Sequence, residues 1–149
     1  MIQVGIVGSG FIGPAHIEAL RRLGFVEVVA LCDVSLELAQ EKARQLNIPH
    51  AYDDVDALLA HPGLQVVHNC TPNFLHAEVN RQILRAGKHV FSEKPLCMTS
   101  EEAHELVKMA QEAGVVHGVS FVYRQFAMVQ QAASMMRDGS AGRLFSAYG

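Results

Sequence analysis

The sequence predicts an α/β chain, a doubly wound parallel sheet with helices on both faces. Short apolar runs rich in β-branched residues alternate with segments of helical periodicity along the chain, the pattern of repeated strand–helix–strand units. Gly24, Gly87 and Gly114 stand where three helical patterns stop, the place a helix-ending glycine belongs. A glycine-rich turn, Gly8-Ser9-Gly10-Phe11-Ile12-Gly13, separates the first apolar run from the first helical pattern.

Ile2, Val4, Ile6 and Val7 read as a buried strand. Ile12, Ala15, Ala19, Leu20 and Leu23 then give the first helix an apolar face, and Gly24 ends it. Residues 26–32 form the second strand. Leu36, Ala39, Ala43 and Leu46 recur at helical spacing, with Pro49 just beyond. A short strand at Ala51-Tyr52, a small helix over 55–60 and a turn at His61-Pro62-Gly63 follow. The next strand covers 66–70. Leu75, Val79 and Ile83 build a helix that stops at Gly87, and 88–91 is a strand. Thr99 and Glu102 have capping-box spacing and open a helix with Ala103, Leu106, Val107 and Ala110 inward. Residues 115–121 read as a strand. Met128, Val129, Ala132, Met135 and Met136 mark a last helix, read as core or as a domain seam, and 143–148 begins to look like one more strand. Right-handed crossovers gather the loops after the strands at one sheet edge, where open α/β sheets bind ligands.

The glycine turn carries the strongest functional signal. Gly8, Gly10 and Gly13 form Gly-x-Gly-x-x-Gly between a strand and a helix, the context that gives the motif meaning. Gly8 allows the tight turn, Gly10 lets a pyrophosphate approach the backbone, and Gly13 lets helix and strand pack closely. The free amides that open the helix suit phosphate charge. Asp33 follows twenty residues after Gly13, at the end of the second strand, where a carboxylate accepts hydrogen bonds from both ribose hydroxyls. A 2′-phosphate would be repelled there, and 34–37 contains no Arg or Lys, so NAD is favoured over NADP. The alternative is a glycine turn that serves packing alone.

Composition narrows the field. Half of the 149 residues are apolar, enough for a core, and the formal charge is −3 without a Lys/Arg block, against a nucleic-acid partner. The eight His are scattered and form no His-Glu-x-x-His pair, so no metal site is expected. Cys32, Cys70 and Cys97 show no Cys-x-x-Cys spacing, which suits a reducing, cytoplasmic setting. No basic leader precedes the first strand and no apolar stretch approaches eighteen residues, so neither a signal peptide nor a membrane span is expected.

Three further loops carry polar residues. In Thr71-Pro72-Asn73-Phe74-Leu75-His76, Asn73 suits a helix cap and His76 a first helical turn; alternatively, the loop borders the nicotinamide half of a cofactor with His76 beside it. In Glu93-Lys94-Pro95, the charges form either a surface pair or an active group, with Lys94 in the cleft sharing a substrate hydroxyl proton. In Val122-Tyr123-Arg124, Arg124 binds a substrate oxygen or caps the elements before it. His16, on or beside the apolar face of the first helix, reads as a satisfied, partly buried histidine.

Residues 8–16, Cys32-Asp33, Cys-Thr-Pro-Asn-Phe-Leu-His at 70–76 and Gly-Lys-His-Val-Phe-Ser-Glu-Lys-Pro-Leu at 87–96 together resemble the N-terminal half of the glucose–fructose oxidoreductase / inositol dehydrogenase / MocA family. The resemblance implies a Rossmann-like NAD(P)-binding domain over 1–124, with 125–149 leading towards a C-terminal substrate domain that is missing here. It implies hydride transfer at a hydroxyl carbon of a sugar, inositol or similar polyol. It gives Lys94 a catalytic role and sets Thr71, Pro72, Asn73 and Glu93 at the cofactor cleft. With the fingerprint and loop readings above, the candidate cofactor residues are Gly8, Ser9, Gly10, Phe11, Ile12, Asp33, Thr71, Pro72, Asn73, His76, Glu93 and Lys94, with Tyr123 and Arg124 towards substrate. It also implies a possible cis Lys94–Pro95 bond, homo-oligomers assembled through the other domain, and little turnover by these residues alone. A nucleotide-sensing regulator and an NAD-dependent glycosidase or epimerase remain alternatives.

Overall fold

The computed structural model describes residues 1–143, 145 and 146. Six strands form one sheet in the order β3-β2-β1-β4-β5-β6, and every neighbouring pair is parallel. They are β1 (Ile2–Val7), β2 (Val26–Cys32), β3 (His50–Tyr52), β4 (Val66–Asn69), β5 (His89–Ser92) and β6 (His117–Val119). The helices are α1 (Gly13–Arg21), α2 (Leu36–Gln45), α3 (Val55–Leu59), α4 (His76–Arg85), α5 (Ser100–Ala113) and α6 (Ala127–Asp138). This is the doubly wound, Rossmann-like arrangement expected. The order reverses between β1 and β4, and the crevice at such a switch point is where these sheets take ligands.

The central strands are apolar on both faces because helices cover both. α1 and α2 bury Ile17, Leu20 and Ala43 against Val4, Ile6, Val28 and Leu31. On the other face, Leu58, Ile83, Leu84, Leu106 and Ala110 from α3, α4 and α5 pack against Val7, Val67 and Val90. One face is only partly covered. Beyond α1, His68 on β4, Phe91 on β5 and Val119 on β6 line an open groove of about 760 Å³.

Helix ends follow local chemistry. Ser35, Asp54 and Thr99 each accept a backbone N–H with the side chain, at Leu38, Ala57 and Glu102. Glu102 returns the bond one residue further back than a capping box requires, accepting from Met98 N at 3.1 Å. Gly24, Gly87 and Gly114 all take left-handed φ angles.

Several expected details are corrected. Ala15, Ala19 and Leu23 line the groove, whereas Gly13, Ile17 and Leu20 face the sheet. Gly13 lies so close to the Gly8 carbonyl that a Cβ there would overlap it, and this approach sets the rotation of α1. Val107 is exposed on α5. Asn73 makes no side-chain cap, because a 3-10 turn over Asn73–Leu75 precedes α4. The sixth strand is only three residues long, and the chain then enters a 3-10 turn at Val122–Gln125. α6 exists but buries none of its residues, so its methionines are not core. The expected strand over 143–148 runs through Leu144, Ala147 and Tyr148, which lie outside the described residues.

Candidate functional site

Four loops meet at the carboxyl edge of the sheet, fastened by backbone bonds that continue the strand ladder. Gly8 N donates to Cys32 O at 2.8 Å, Cys70 N to Val7 O at 2.8 Å, Glu93 N to Asn69 O at 2.9 Å and Ser120 N to Ser92 O at 2.9 Å.

In the first loop the three glycines have separate reasons. Gly8 has φ +94°, and a Cβ there would lie 2.6 Å from Cys70 O. Gly13 touches Gly8 backbone, as described above. Gly10 alone faces open space, with nothing within 4 Å of a Cβ position. Beside it Phe11 is 99% exposed and Ile12 half-buried. α1 has no side-chain N-cap and carries proline in its first turn, so its opening amides lack a side-chain acceptor. A backbone cradle with free amides and no side chain over Gly10 fits a diphosphate.

Asp33 closes this loop from the end of β2. Its Oδ2 accepts from Ser9 N at 2.8 Å and from Ser9 Oγ in a short bond, and its Oδ1 accepts from Val34 N at 2.7 Å. The carboxylate therefore sits at the rim of the glycine loop. A carboxylate has about four lone-pair sites, so these contacts leave capacity for ribose hydroxyls. Ser9 is buried beneath it.

The second and third loops are joined by a buried polar chain. Thr71 N and Oγ1 donate to Asn69 Oδ1 at 3.3 and 2.7 Å. Asn69 Nδ2 donates to Asn80 Oδ1 at 2.9 Å, and Asn80 Nδ2 to Ser92 Oγ at 3.0 Å. His76 makes a second tie, its Nε2 2.7 Å from Thr71 O and its Nδ1 2.5 Å from Pro95 O. His76 is fully buried between these two carbonyls and ties the second loop to the third. Pro72 and Asn73 are exposed at the loop surface.

In the third loop the Lys94–Pro95 bond is cis and Lys94 is exposed. Glu93 is buried beneath it. Its Oε2 accepts from Lys94 N at 3.0 Å and its Oε1 from His16 Nε2 at 3.0 Å. Burial opposes its ionisation, but hydrogen bonds from Ser120, His16 and the Lys94 amide outweigh that and hold its carboxyl below the ordinary range. Tyr123 and Arg124 follow β6. Both are exposed, and Arg124 lines the groove with His16 and Glu93.

Sequence reasoning missed His68, Asn69, Asn80 and Ser92 as members of this edge. His68 and Asn69 do interrupt an apolar strand, a signal that a polar partner waits nearby. Asn80 and Ser92 carry no such mark. Cys32 and Cys70 are pushed up to about 12, Cys32 by burial and then Asp33, Cys70 by burial and then Glu93, which makes both thiols unreactive.

His68 makes stability acid-sensitive. Burial, and next the neighbouring His16, lowers its pKa from 6.5 to about 4. Above pH 6.5 neither folded nor unfolded chain protonates this ring. Between pH 6.5 and 4 the unfolded chain binds a proton that the folded chain refuses, so stability is lost across that window, by at most about 3 kcal/mol. Urea unfolding at pH 7.5 and 4.5 measures the loss, and His68→Gln is expected to shrink it. An equal loss in the variant would remove His68 from the account.

Comparison with known proteins adds the following. The family model described as oxidoreductase family, NAD-binding Rossmann fold, matches residues 2–121. Levoglucosan dehydrogenase of Pseudarthrobacter phenanthrenivorans is 34% identical over 97% of this chain and 39% of its own length. D-glucoside 3-dehydrogenase of Escherichia coli is 32% identical over 97% of this chain and 41% of its own. A levoglucosan dehydrogenase structure in complex with NADH and L-sorbose superposes with a TM-score of 0.90 at 32% identity, covering 96% of this chain and 40% of that one. The chain thus spans about two-fifths of the length of these relatives.

Proposed function

From the premise that the chain belongs to the GFO/IDH/MocA oxidoreductase family and carries its NAD-binding Rossmann domain, we propose that it is the cofactor-holding part of a dehydrogenase or reductase acting at a hydroxyl carbon of a sugar, inositol or similar polyol. The observation that carries this reading is the open backbone cradle at Gly10 with the Asp33 carboxylate at its rim. NAD, when bound, supplies or accepts the hydride.

The residues of the chain divide the remaining work. Backbone amides of Gly10, Phe11 and Ile12 hold the diphosphate, Gly8 and Ser9 shape the loop through their bonds to Cys32 O and Asp33, and Asp33 accepts from the ribose of the adenosine end. Thr71, Pro72, Asn73 and Glu93 border the nicotinamide end, their loops held in register by the Asn69–Asn80–Ser92 chain. The exposed Lys94 side chain stands at the same edge, where its ammonium gives a proton to the substrate oxygen as a carbonyl is reduced and its neutral amine takes the hydroxyl proton in the reverse direction. Tyr123 and Arg124 meet the substrate from the far side of the groove. Residues 1–124 form the cofactor domain, and 125–149, with its uncovered α6, leads to a substrate-binding domain through which subunits pair. The relatives' greater length and the bare apolar face of α6 support that division.

Calorimetric titration of this chain with NADH tests the reading. Saturable one-to-one binding is expected, tighter than the same titration with NADPH. No heat of binding at millimolar NADH would remove the cofactor role, and with it the proposed chemistry.

A further inference from the structure

We infer that His16, through Glu93, is the positioning residue that holds the Lys94 turn in its working geometry. The inference rests on the reading of Lys94 as the acid–base group.

The side chains of His16 and Glu93 are 9% and 10% exposed, so this is an interior pair. A carboxylate only accepts, so the 3.0 Å contact requires the proton on His16 Nε2. The other ring nitrogen of His16 is 2.9 Å from His68 Nδ1, which holds the ring from β4. Glu93 splits its two oxygens between different tasks. Oε1 takes the bond from α1, and Oε2 takes the Lys94 backbone amide. Ser120, just after β6, adds to the stabilisation of the same carboxylate's charge. α1 and the segment after β6 therefore converge on the Glu93 carboxylate, with β4 behind His16, and one of the bonds it accepts sets the orientation of the peptide that carries Lys94.

Burial decides how much this matters. Without His16 as donor, a buried carboxylate loses its imidazole partner and must swing towards another donor or take a proton. Either change moves the Lys94 amide. His16 also stands one turn into the helix whose first amides form the diphosphate cradle. The same rigid helix turn therefore joins the cradle to the Lys94 loop, so the two ends of the cleft keep a fixed spacing. A displacement of about 1 Å at a reacting group costs on the order of 10²-fold in rate.

The test compares His16→Gln, whose amide keeps a donor near the Nε2 position, with His16→Leu, which keeps volume and loses the donor. In the intact protein His16→Leu is expected to lower kcat by about 10- to 100-fold with unchanged KM for substrate and unchanged NADH affinity, and His16→Gln to restore most of the rate. A second readout needs no turnover. In ¹⁵N-labelled chain without cofactor, the Lys94 amide resonance is expected to move in His16→Leu and to return in His16→Gln. If His16→Leu unfolds, His16→Asn, whose shorter amide cannot span the distance to Glu93 Oε1, carries the same comparison. Unchanged kcat and an unmoved Lys94 amide in the apolar variant, with Lys94→Ala inactive, would reduce His16 to packing and overturn the inference. Full activity in Lys94→Ala would instead overturn the reading beneath it, and the amide resonance would still decide whether His16 positions the turn.

Discussion

Lys94→Ala is expected to lower kcat of the intact protein by about 10²–10⁴-fold, the contribution of a positioned acid–base group, and to leave NADH affinity unchanged. The two effects separate because Lys94 lies on the loop after β5, while the glycine cradle and Asp33 lie on the loops after β1 and β2. Lys94→Arg sharpens the result. Arginine keeps the positive charge but does not release its proton at any working pH. If the ammonium acts only as a fixed charge, arginine restores the rate. If it passes a proton, arginine is nearly as poor as alanine, and the present reading requires that second outcome. Steady-state kinetics alongside NADH titration distinguishes them. A fully active alanine variant would leave the substrate hydroxyl proton to a group elsewhere.

The second large effect divides the glycine fingerprint into parts that serve the fold and a part that serves the ligand. Gly8→Ala sets a Cβ 2.6 Å from Cys70 O at φ +94°, and Gly13→Ala drives one into Gly8 backbone. Neither neighbour is a side chain that can swing aside. Each substitution is expected to cost at least about 3 kcal/mol of stability. For a chain of this size that lowers Tm by about 6–12 °C. Gly10→Ala meets no protein atom. It is expected to leave Tm unchanged or slightly raised, since alanine narrows the unfolded ensemble by roughly 0.4–1 kcal/mol. Its methyl group stands where a diphosphate must approach, so NADH affinity is expected to fall by at least about tenfold, or 1.4 kcal/mol. Thermal melts and NADH titrations of the three variants give a crossed pattern. A Gly10 variant that binds NADH normally would place the diphosphate elsewhere.

Much of the architecture was legible because it rests on local rules. Apolar runs of strand length, helical spacing of Ala39 and Ala43, and glycines at helix ends are each readable within a few residues. The parallel order then follows from the handedness of the connections. Errors fell where a distant contact overrode the local pattern. The apolar stripe of α1 was read through Ile12, Ala15, Ala19, Leu20 and Leu23; Leu20 is buried as expected, but Ile17 and Gly13, which lies against Gly8 backbone, take the inward positions that Ala15, Ala19 and Leu23 do not. α6 has a helical pattern, yet periodicity does not say what covers a face, and its methionines lie exposed.

The site divides in the same way. Gly8, Gly10, Gly13 and Asp33 are recognisable along the chain because their roles depend on backbone freedom and on charge at a strand end, both expressed in residue type and spacing. Loops rich in Thr, Asn, Glu, Lys and Pro mark the carboxyl edge for a similar reason. What sequence could not decide is which polar groups meet. His16 and Glu93 are separated by 77 positions, and His76 and Pro95 by 19. Only the sheet order, with β4 inserted beside β1 and β5 beside β4, brings them together. Desolvation depends on that assembly, so the neutral His68, the ionised interior Glu93 and the inert thiols of Cys32 and Cys70 are properties of the folded molecule.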